Sequence, residues 1–446
     1  NYMGRLFGTD GVRGSANKDL TPELVFSLGK SASLVIAQSH GKGKAKAVVG
    51  RDPRASGEML EAALIAGLAT VGVDVLKVGV LPTPAIAYLT KYYGADLGVV
   101  LSASHNVFSD NGVKFFSKDG KKLPDEVEDE IEKNLETKVP HPTGSDVGRV
   151  KEMADAYEAY LAHLLETINT GALKGLKIAV DCANGAASES APDLYSRAGA
   201  EVIAIHNAPN GVNINDNCGS THLESLIETV KKNNCDLGIA HDGDADRCLA
   251  IDAQGNVIDG DHILALLAHD FKQTGKLASD TVVSTVMANL GFKIAMKSAS
   301  INVIETGVGD RYVLEAMEEK NYVLGGEQSG HIIMRNHSTT GDGLLTALHL
   351  MNAVAGTKKS LQELAGIVKK FPQILINIPD VDKVKIDNTE LKDAVKKSET
   401  TLGDKGRVLL RSSGTEPLIR VMVEAETMKQ AQEIAESLAS VVKKTC

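Results

Sequence analysis

A chain of 446 residues with 43% apolar and 24% charged side chains has material for about three domains with substantial cores. A formal charge of −10, 4% aromatic residues and no Trp argue against a nucleic-acid surface or an anionic membrane, but leave room for an anionic small ligand held by local Arg, Lys and backbone donors. No apolar run reaches about 18 residues, so no membrane span is expected. The opening carries neither a basic nor an apolar leader, so no signal peptide is expected either. The five cysteines (Cys182, Cys218, Cys235, Cys248, Cys446) are dispersed without a CxxC pair and read as reduced thiols of a cytoplasmic protein.

The first segment, GRLFGTDGVRG, is glycine-rich and contains Asp10 and Arg13. Thr21-Pro22-Glu23 then starts a helix, with Thr as N-cap and Pro at the first helical position. A strand over 45–49 ends in GRDPRASG, a helix covers about 57–70, a strand follows over 73–78, and Pro82 and Pro84 punctuate the next stretch. The apolar run 94–101 reads as a buried strand that opens into LSASHNVFSDNGVKFF, residues 101–116. Chemistry in α/β proteins sits on the loop past the carboxyl end of a strand. Ser104, with His105 and Asn106 beside it and Lys114 ten residues on, is placed there, on what is expected to be a surface loop. Taken alone, the segment is also an ordinary polar turn.

The same order returns twice. A strand over 176–180 ends in DCANGAAS, a helix runs to about 198, a strand covers 200–206, and a third strand, 234–240, opens into HDGDADR. Then a strand over 281–286 ends in MANLG, 301–306 follows a helix, and 321–326 opens into EQSGH. Asp96-Leu97-Gly98 aligns with Asp236-Leu237-Gly238, which sets Ser104 opposite Asp244; the third copy shares mainly Leu324-Gly325. Three copies in one order indicate triplicated α/β units. After about Lys370 the texture changes: 372–387 is strand-like, 387–399 helical, two strands flank RSSGTEP, and 428–443 is an amphipathic helix with Ala431, Ile434, Ala435, Leu438 and Val442 on one face. The expected domains are therefore three similar α/β units, 1–153, 154–254 and 255–370, and a smaller α+β unit, 371–446.

Asp242, Asp244 and Asp246 alternate in HDGDADR, and three carboxylates so close repel one another without a cation. Hard oxygen ligands of this kind suit Mg²⁺. An EF-hand loop is excluded, since Arg247 and Ala253 occupy the positions that require Gly and a bidentate Glu. Glu327, Ser329 and His331 lie on the glycine-rich loop GGEQSGH, suited to sugar hydroxyls. RSSGTEPLIR offers Arg411, Ser412, Ser413, Gly414, Thr415 and Arg420, a concave anion site of backbone N–H groups, hydroxyls and guanidinium forks. The standard nucleotide and hydrolase signatures (GxxxxGK[ST], GxGxxG after a strand, GxSxG) are missing. A hydroxyl, a divalent-metal site, hydroxyl recognition and a phosphate cradle together point to phosphoryl transfer on a phosphorylated sugar or polyol.

In content and order, SASHN, DGDADR, GEQSGH and RSSGTEP resemble the α-D-phosphohexomutase family over the whole chain. The opening FGTDGVRG, Gln328 in the sugar loop and NCGSTHLE at 217–224 are most similar to bacterial members that act on an amino-sugar phosphate. Relatives acting on glucose or mannose phosphates usually carry GEMSGH or GEESGH. Pro usually follows SASHN in the family, and Val107 in its place predicts a looser loop with no functional group lost.

The resemblance implies three α/β domains with mixed sheets and a smaller C-terminal domain around a central cleft. It implies that Ser104 is a phosphoserine that gives its phosphoryl group to the substrate and receives one back. Asp242, Asp244 and Asp246 would hold Mg²⁺ with that group. Glu327 and Ser329 would bind sugar hydroxyls, and Arg411, Ser413, Gly414, Thr415 and Arg420 the non-transferring phosphate. Arg13, Lys114, Arg247 and His331 would stabilise charge or carry protons, with Lys114 or His331 as the base. The implied reaction converts glucosamine 6-phosphate to glucosamine 1-phosphate through glucosamine 1,6-bisphosphate, supplying amino-sugar nucleotide precursors of the cell wall, in a cytoplasmic enzyme, a homodimer in the family. The rival readings are a mutase for glucose or mannose phosphates and a catalytically silent sugar-phosphate-binding protein. The intact Ser104, aspartates and phosphate loop argue against the second.

Overall fold

The computed structural model describes residues 5–37, 43–414 and 416–446. Its contacts form two compact units, Asn1–Val286 with Val303–Ala365, and Met287–Asn302 with Gly366–Cys446.

The first unit contains three sheets. One is built from β1 (Val12–Ser15), β2 (Lys46–Arg51), β3 (Asp74–Val80), β4 (Leu97–Leu101), β5 (Asp110–Ser117) and β6 (Val150–Glu152), in the order β1-β5-β4-β2-β3-β6. The second is built from β7 (Lys177–Asp181), β8 (Glu201–Ile205), β9 (Leu237–Ala240), β10 (Leu249–Asp252) and β11 (Val257–Ile258), in the order β11-β10-β9-β7-β8. The third has β12 (Thr281–Thr285), β13 (Asn302–Thr306), β14 (Leu324–Gly326) and β15 (Ile332–Met334), in the order β13-β12-β14-β15.

Mixed direction follows one plan in all three. The strands read from the sequence pair in parallel: β2 with β3 and β4, β7 with β8 and β9, β12 with β14. Each sheet then adds an antiparallel return strand, β5 on β4, β10 on β9 and β15 on β14. Every return strand closes a chemistry-bearing loop, with Leu101 paired to Val113, Ala240 to Leu249 and Gly326 to Ile332. The central parallel strands are buried on both faces, and so read as unbroken apolar runs; β4, β9 and β12 are buried along their whole length, whereas β8 at the sheet edge is not. Over the first sheet the helices Pro22–Ile36 and Gly57–Ala69 pack so closely that a Cβ at Gly67 would lie 2.3 Å from the Phe26 carbonyl oxygen. Only Gly fits that crossing.

The second unit is an antiparallel sheet of β16 (Gln373–Pro379), β17 (Arg407–Ser412) and β18 (Leu418–Glu424), in the order β16-β18-β17, under the helices Thr389–Leu402 and Met428–Thr445. Ala431, Ala435, Leu438 and Val442 are buried as expected, while Ile434 is half-buried at the edge of the core. The strand expected over 372–387 stops at Pro379, beyond which Lys383–Asp387 turns as a 3₁₀ helix capped by the Asp382 side chain. Proline has no N–H with which to continue a ladder.

Candidate active site

The loop between β4 and β5 is shaped from beneath by one ion pair. Arg54 and Asp52, on the loop after β2, are wholly buried, with Arg54 Nε donating to Asp52 Oδ2 at 2.9 Å. The guanidinium also donates to the carbonyls of Ser104, Asn106, Val107 and Asp110. Asp52 accepts from Ser102 Oγ at 2.6 Å, and that hydroxyl accepts the Ser104 N–H at 3.0 Å. From the second sheet's side, Asn215 Nδ2 donates to the carbonyls of Ser104 (2.7 Å) and Asn106 (3.0 Å). These bonds hold Ser104 at φ 51°, a left-handed conformation uncommon for a residue with a side chain. Two expectations change. Ser104 is 4% exposed, so its hydroxyl is held in the interior although His105 and residues 107–109 of the loop are exposed. Val107 does not leave it loose, because its carbonyl is one of those Arg54 grips.

Ser104 Oγ donates to Asp242 Oδ2 at 2.7 Å. Asp242 and Asp244 are buried and Asp246 nearly so, and one carboxylate oxygen of each lies within 4.8 Å of the others. Thr83, at the start of the Thr83–Tyr92 helix, donates from Oγ1 to Asp244 Oδ2 at 2.7 Å. Burial, then the Asp244 charge, pushes the Asp242 carboxyl up to about 6, and burial with both neighbours drives Asp246 well up. Burial also opposes the charge of Asp244, but the bonds from Thr83 and Asp242 hold it below the usual carboxylate range. The Oδ1 atom of each of the three is buried without a hydrogen-bond partner. Three clustered carboxylates, each with an unmatched hard oxygen, are what a small divalent cation requires, so these residues fit Mg²⁺.

Basic side chains and a fourth carboxylate gather around this cluster. His331 opens β15, is 5% exposed, and sets Nε2 3.8 Å from both Asp246 Oδ2 and Asp310 Oδ2, with no hydrogen-bond partner. Lys114 lies on β5, and Arg13 on β1 is paired with its neighbour Gly112. Burial alone would lower Lys114; Asp10, Asp310, Asp246 and Asp244 outweigh it and raise its pKa, so it keeps its proton. Arg247 is likewise held charged against burial by Asp246, Asp242, Asp244 and Asp10. The sequence reading missed Asp310, at the start of the Asp310–Glu319 helix, which burial would push up but which His331, Lys114 and Lys122 hold far below the usual range. It also missed Thr83, Arg54, Asn215 and Lys122. On the sugar loop, Glu327 Oε1 accepts the Gly309 N–H at 3.0 Å, and Ser329 is exposed.

In the second unit, Arg411 on β17 and Arg420 on β18 stand directly opposite one another. Like charges in register repel, and burial together with the Arg420 charge lowers the Arg411 pKa. Ser413 Oγ accepts the Glu416 N–H at 3.1 Å, and Lys383, unremarked in the sequence, donates from Nζ to the Ser413 carbonyl at 2.7 Å. A Cβ at Gly414 would meet nothing within 4 Å, so the turn is open. Two opposed guanidiniums, a lysine and an open serine-glycine turn are donors that could cradle an anion. Thr415 lies outside the described residues.

A serine on a carboxylate cluster, three repeated strand–loop–return-strand units and a separate anion cradle define a phosphosugar mutase of the phosphohexomutase class. Family models for the phosphoglucomutase/phosphomannomutase α/β/α domains I, II and III match residues 4–140, 155–255 and 259–371, and that for the C-terminal domain matches 350–441. The chain belongs to this phosphoglucomutase/phosphomannomutase family. It is 57% identical over 449 residues to phosphoglucosamine mutase of Streptomyces griseus, with 99% of each chain covered. Its fold is shared by a phosphoglucomutase/phosphomannomutase family protein of Burkholderia thailandensis (TM-score 0.80, 24% identity, 98% of each chain). It is also shared by the N-acetylphosphoglucosamine mutase of Aspergillus fumigatus, solved with GlcNAc-6P and magnesium (TM-score 0.67, 18% identity, 99% of this chain and 96% of that one). Among the described residues no helix is long and apolar enough to cross a membrane.

Proposed function

We propose that this chain is an isomerase that interconverts glucosamine 6-phosphate and glucosamine 1-phosphate through a phosphoserine at Ser104 and a glucosamine 1,6-bisphosphate intermediate. The observation that carries the chemistry is the 2.7 Å bond from Ser104 Oγ to Asp242 beside three unmatched carboxylate oxygens. The amino-sugar assignment rests on the 57% identity to a phosphoglucosamine mutase over the full chain and on the GEQSGH loop.

The steps follow from the residues. The phosphoryl group leaves Ser104 Oγ for a hydroxyl of the monophosphate, and that hydroxyl's proton passes to a base. The bisphosphate turns, its other phosphoryl group returns to Ser104 Oγ, and the product oxygen regains a proton. A phosphate on Ser104 would face Asp242 without the proton that now joins them, so the two anions need a cation between them. Asp242, Asp244 and Asp246 would hold Mg²⁺ there, and the bound ion would neutralise charge on the transferring group. Lys114 and Arg247, kept protonated by the surrounding carboxylates, stabilise developing charge. That leaves His331, whose Nε2 has no partner, to accept the hydroxyl proton. Glu327 and Ser329 take sugar hydroxyls. Arg411, Ser413, Gly414, Thr415, Arg420 and Lys383 take the phosphate that is not reacting.

The test is turnover with glucosamine 6-phosphate, glucose 6-phosphate and mannose 6-phosphate, each followed by phosphorus NMR, together with peptide mapping by mass. Preference for the amino sugar, one phosphate on the Ser104 peptide, and loss of turnover in Ser104→Ala are expected. Preference for mannose or glucose phosphate would overturn the substrate. Near-normal activity of Ser104→Ala would overturn the mechanism.

A further inference from the structure

A second group of metal-ligating side chains lies apart from the carboxylate cluster. Asp181 ends β7, His206 directly follows β8, and Cys218 precedes the turn at Gly219–Thr221. One ligand atom from each, a carboxylate oxygen, an imidazole nitrogen and a sulfur, all lie within 4.8 Å of one another. His206 Nδ1 is 3.1 Å from Asp181 Oδ2, is itself buried, and has no hydrogen-bond partner of acceptable geometry. Asp181 and Cys218 are wholly buried.

A further observation bears on what these atoms are for. The Asp181 carboxylate is fixed by backbone donors, with Oδ1 accepting the Ala183 N–H and Oδ2 the Gly219 N–H, each at 2.9 Å. Each oxygen retains a second lone pair. Asp181 is therefore oriented by neighbouring backbone, as outer donors commonly orient the ligands of first-row metal sites.

We propose that Asp181, His206 and Cys218 bind one divalent cation of the zinc type. The donor set of one sulfur, one nitrogen and one oxygen suits a borderline-soft, four-coordinate ion and not Mg²⁺. His206 is 28% exposed at its side chain, which leaves a solvent-facing fourth position for water. On binding, the Cys218 thiol releases its proton to solvent and the sulfur lone pair goes to the metal. The site lies at both ends of the 206–218 connector, and that connector carries Asn215, whose amide grips the Ser104 and Asn106 carbonyls. The ion would tie down the segment that clamps the serine loop, without touching the reacting groups.

The test is titration of the chelator-treated full chain with Co²⁺ in the presence of saturating Mg²⁺. One equivalent of Co²⁺ is expected to produce a thiolate-to-metal charge-transfer band and the visible bands of a four-coordinate ion, and Zn²⁺ should abolish both. Cys218→Ser should lose the charge-transfer band. His206→Ala, at a partly exposed position that should tolerate truncation, should weaken binding at least tenfold. Cys446→Ser and Asp244→Asn should leave the band intact. Absence of the band in the unmodified chain, or its persistence at full strength in Cys218→Ser, overturns the proposal. Should Cys218→Ser fail to fold, unchanged Co²⁺ affinity in His206→Ala overturns it instead.

Discussion

Replacing Arg54 by Met tests whether a buried charge is what shapes the serine loop. The side chains have similar length, so the change removes the guanidinium and leaves most of the volume. Arg54 and Asp52 are both 0% exposed, so solvent screens neither. Breaking a buried pair by deleting one partner costs roughly 3–5 kcal/mol, since the other charge is left uncompensated. Here the carbonyls of Ser104, Asn106, Val107 and Asp110 also lose a donor, so the upper part of that range is expected. Burial already pushes the Asp52 carboxyl up with Arg54 in place. Without Arg54 its folded-state pKa rises further, so the deficit should shrink as pH falls and the carboxyl protonates. The assay is urea unfolding of four chains: unmodified, Arg54→Met, Asp52→Asn and the double variant. The double variant should recover part of the loss, giving a coupling energy of about 1–3 kcal/mol. Turnover of Arg54→Met should fall about 100-fold through misplacement of Ser104. A loss below about 1 kcal/mol in Arg54→Met, or strictly additive single variants, would refute the clamp.

Asp244→Asn removes one of three convergent carboxylates and should raise the Mg²⁺ requirement and lower kcat far more than it changes phosphosugar affinity, as seen in steady-state kinetics across Mg²⁺ concentrations. Arg411→Ala and Arg420→Ala should each raise KM for both monophosphates with a smaller change in kcat, because a phosphate is held there throughout the cycle; a pure kcat defect would contradict the cradle. Asp342→Asn should alter the pH dependence of stability. Asp342 is fully buried, accepts from Tyr160 at 2.8 Å and caps the Gly343–Thr357 helix, and burial pushes its carboxyl up to about 6. Between about pH 4 and 6 the unfolded chain releases this proton while the folded chain keeps it, so stability falls as pH rises through that window, by roughly 3 kcal/mol. Asn caps equally well and does not titrate, so the variant should gain relative stability from pH 4 to pH 7; parallel curves in calorimetry would contradict this.

The serine and aspartate loops were legible because each follows directly on a strand buried on both faces, where an apolar run meets abrupt polarity. The return strands were not. The β5 sequence DNGVKFFS mixes Asn, Gly and Lys with its apolar residues, and β15 is only Ile332–Met334, so neither has a period to detect. The missed residues act through space. Thr83 reaches Asp244 across 161 positions, and Arg54 reaches Ser104 across 50. A signal for Arg54 was nonetheless present. Asp52 and Arg54 stand on the loop after β2, the same end of the same sheet as Ser104, where a charged pair just past a buried strand faces whatever lies on the next loop. Asp310 had its own mark, a glycine at 309 directly before a helix. Cys218 was judged by spacing to other cysteines, which says nothing about an aspartate and a histidine brought near by folding.

The Asn215 bonds to the serine loop and the Thr83 bond to the metal loop run in opposite directions between the first and second sheets. Each half thus supplies a part that the other half's reactive loop needs in order to keep its shape. Recombination between relatives would meet this as a rule about crossover points. A junction near residue 153 joins a serine loop from one parent to an Asn215 from another, and an Asp244 to a foreign Thr83. A junction near 254 transfers both contacts together. Chimeras broken after the second sheet should therefore keep these two contacts native, where chimeras broken after the first mix parents at both.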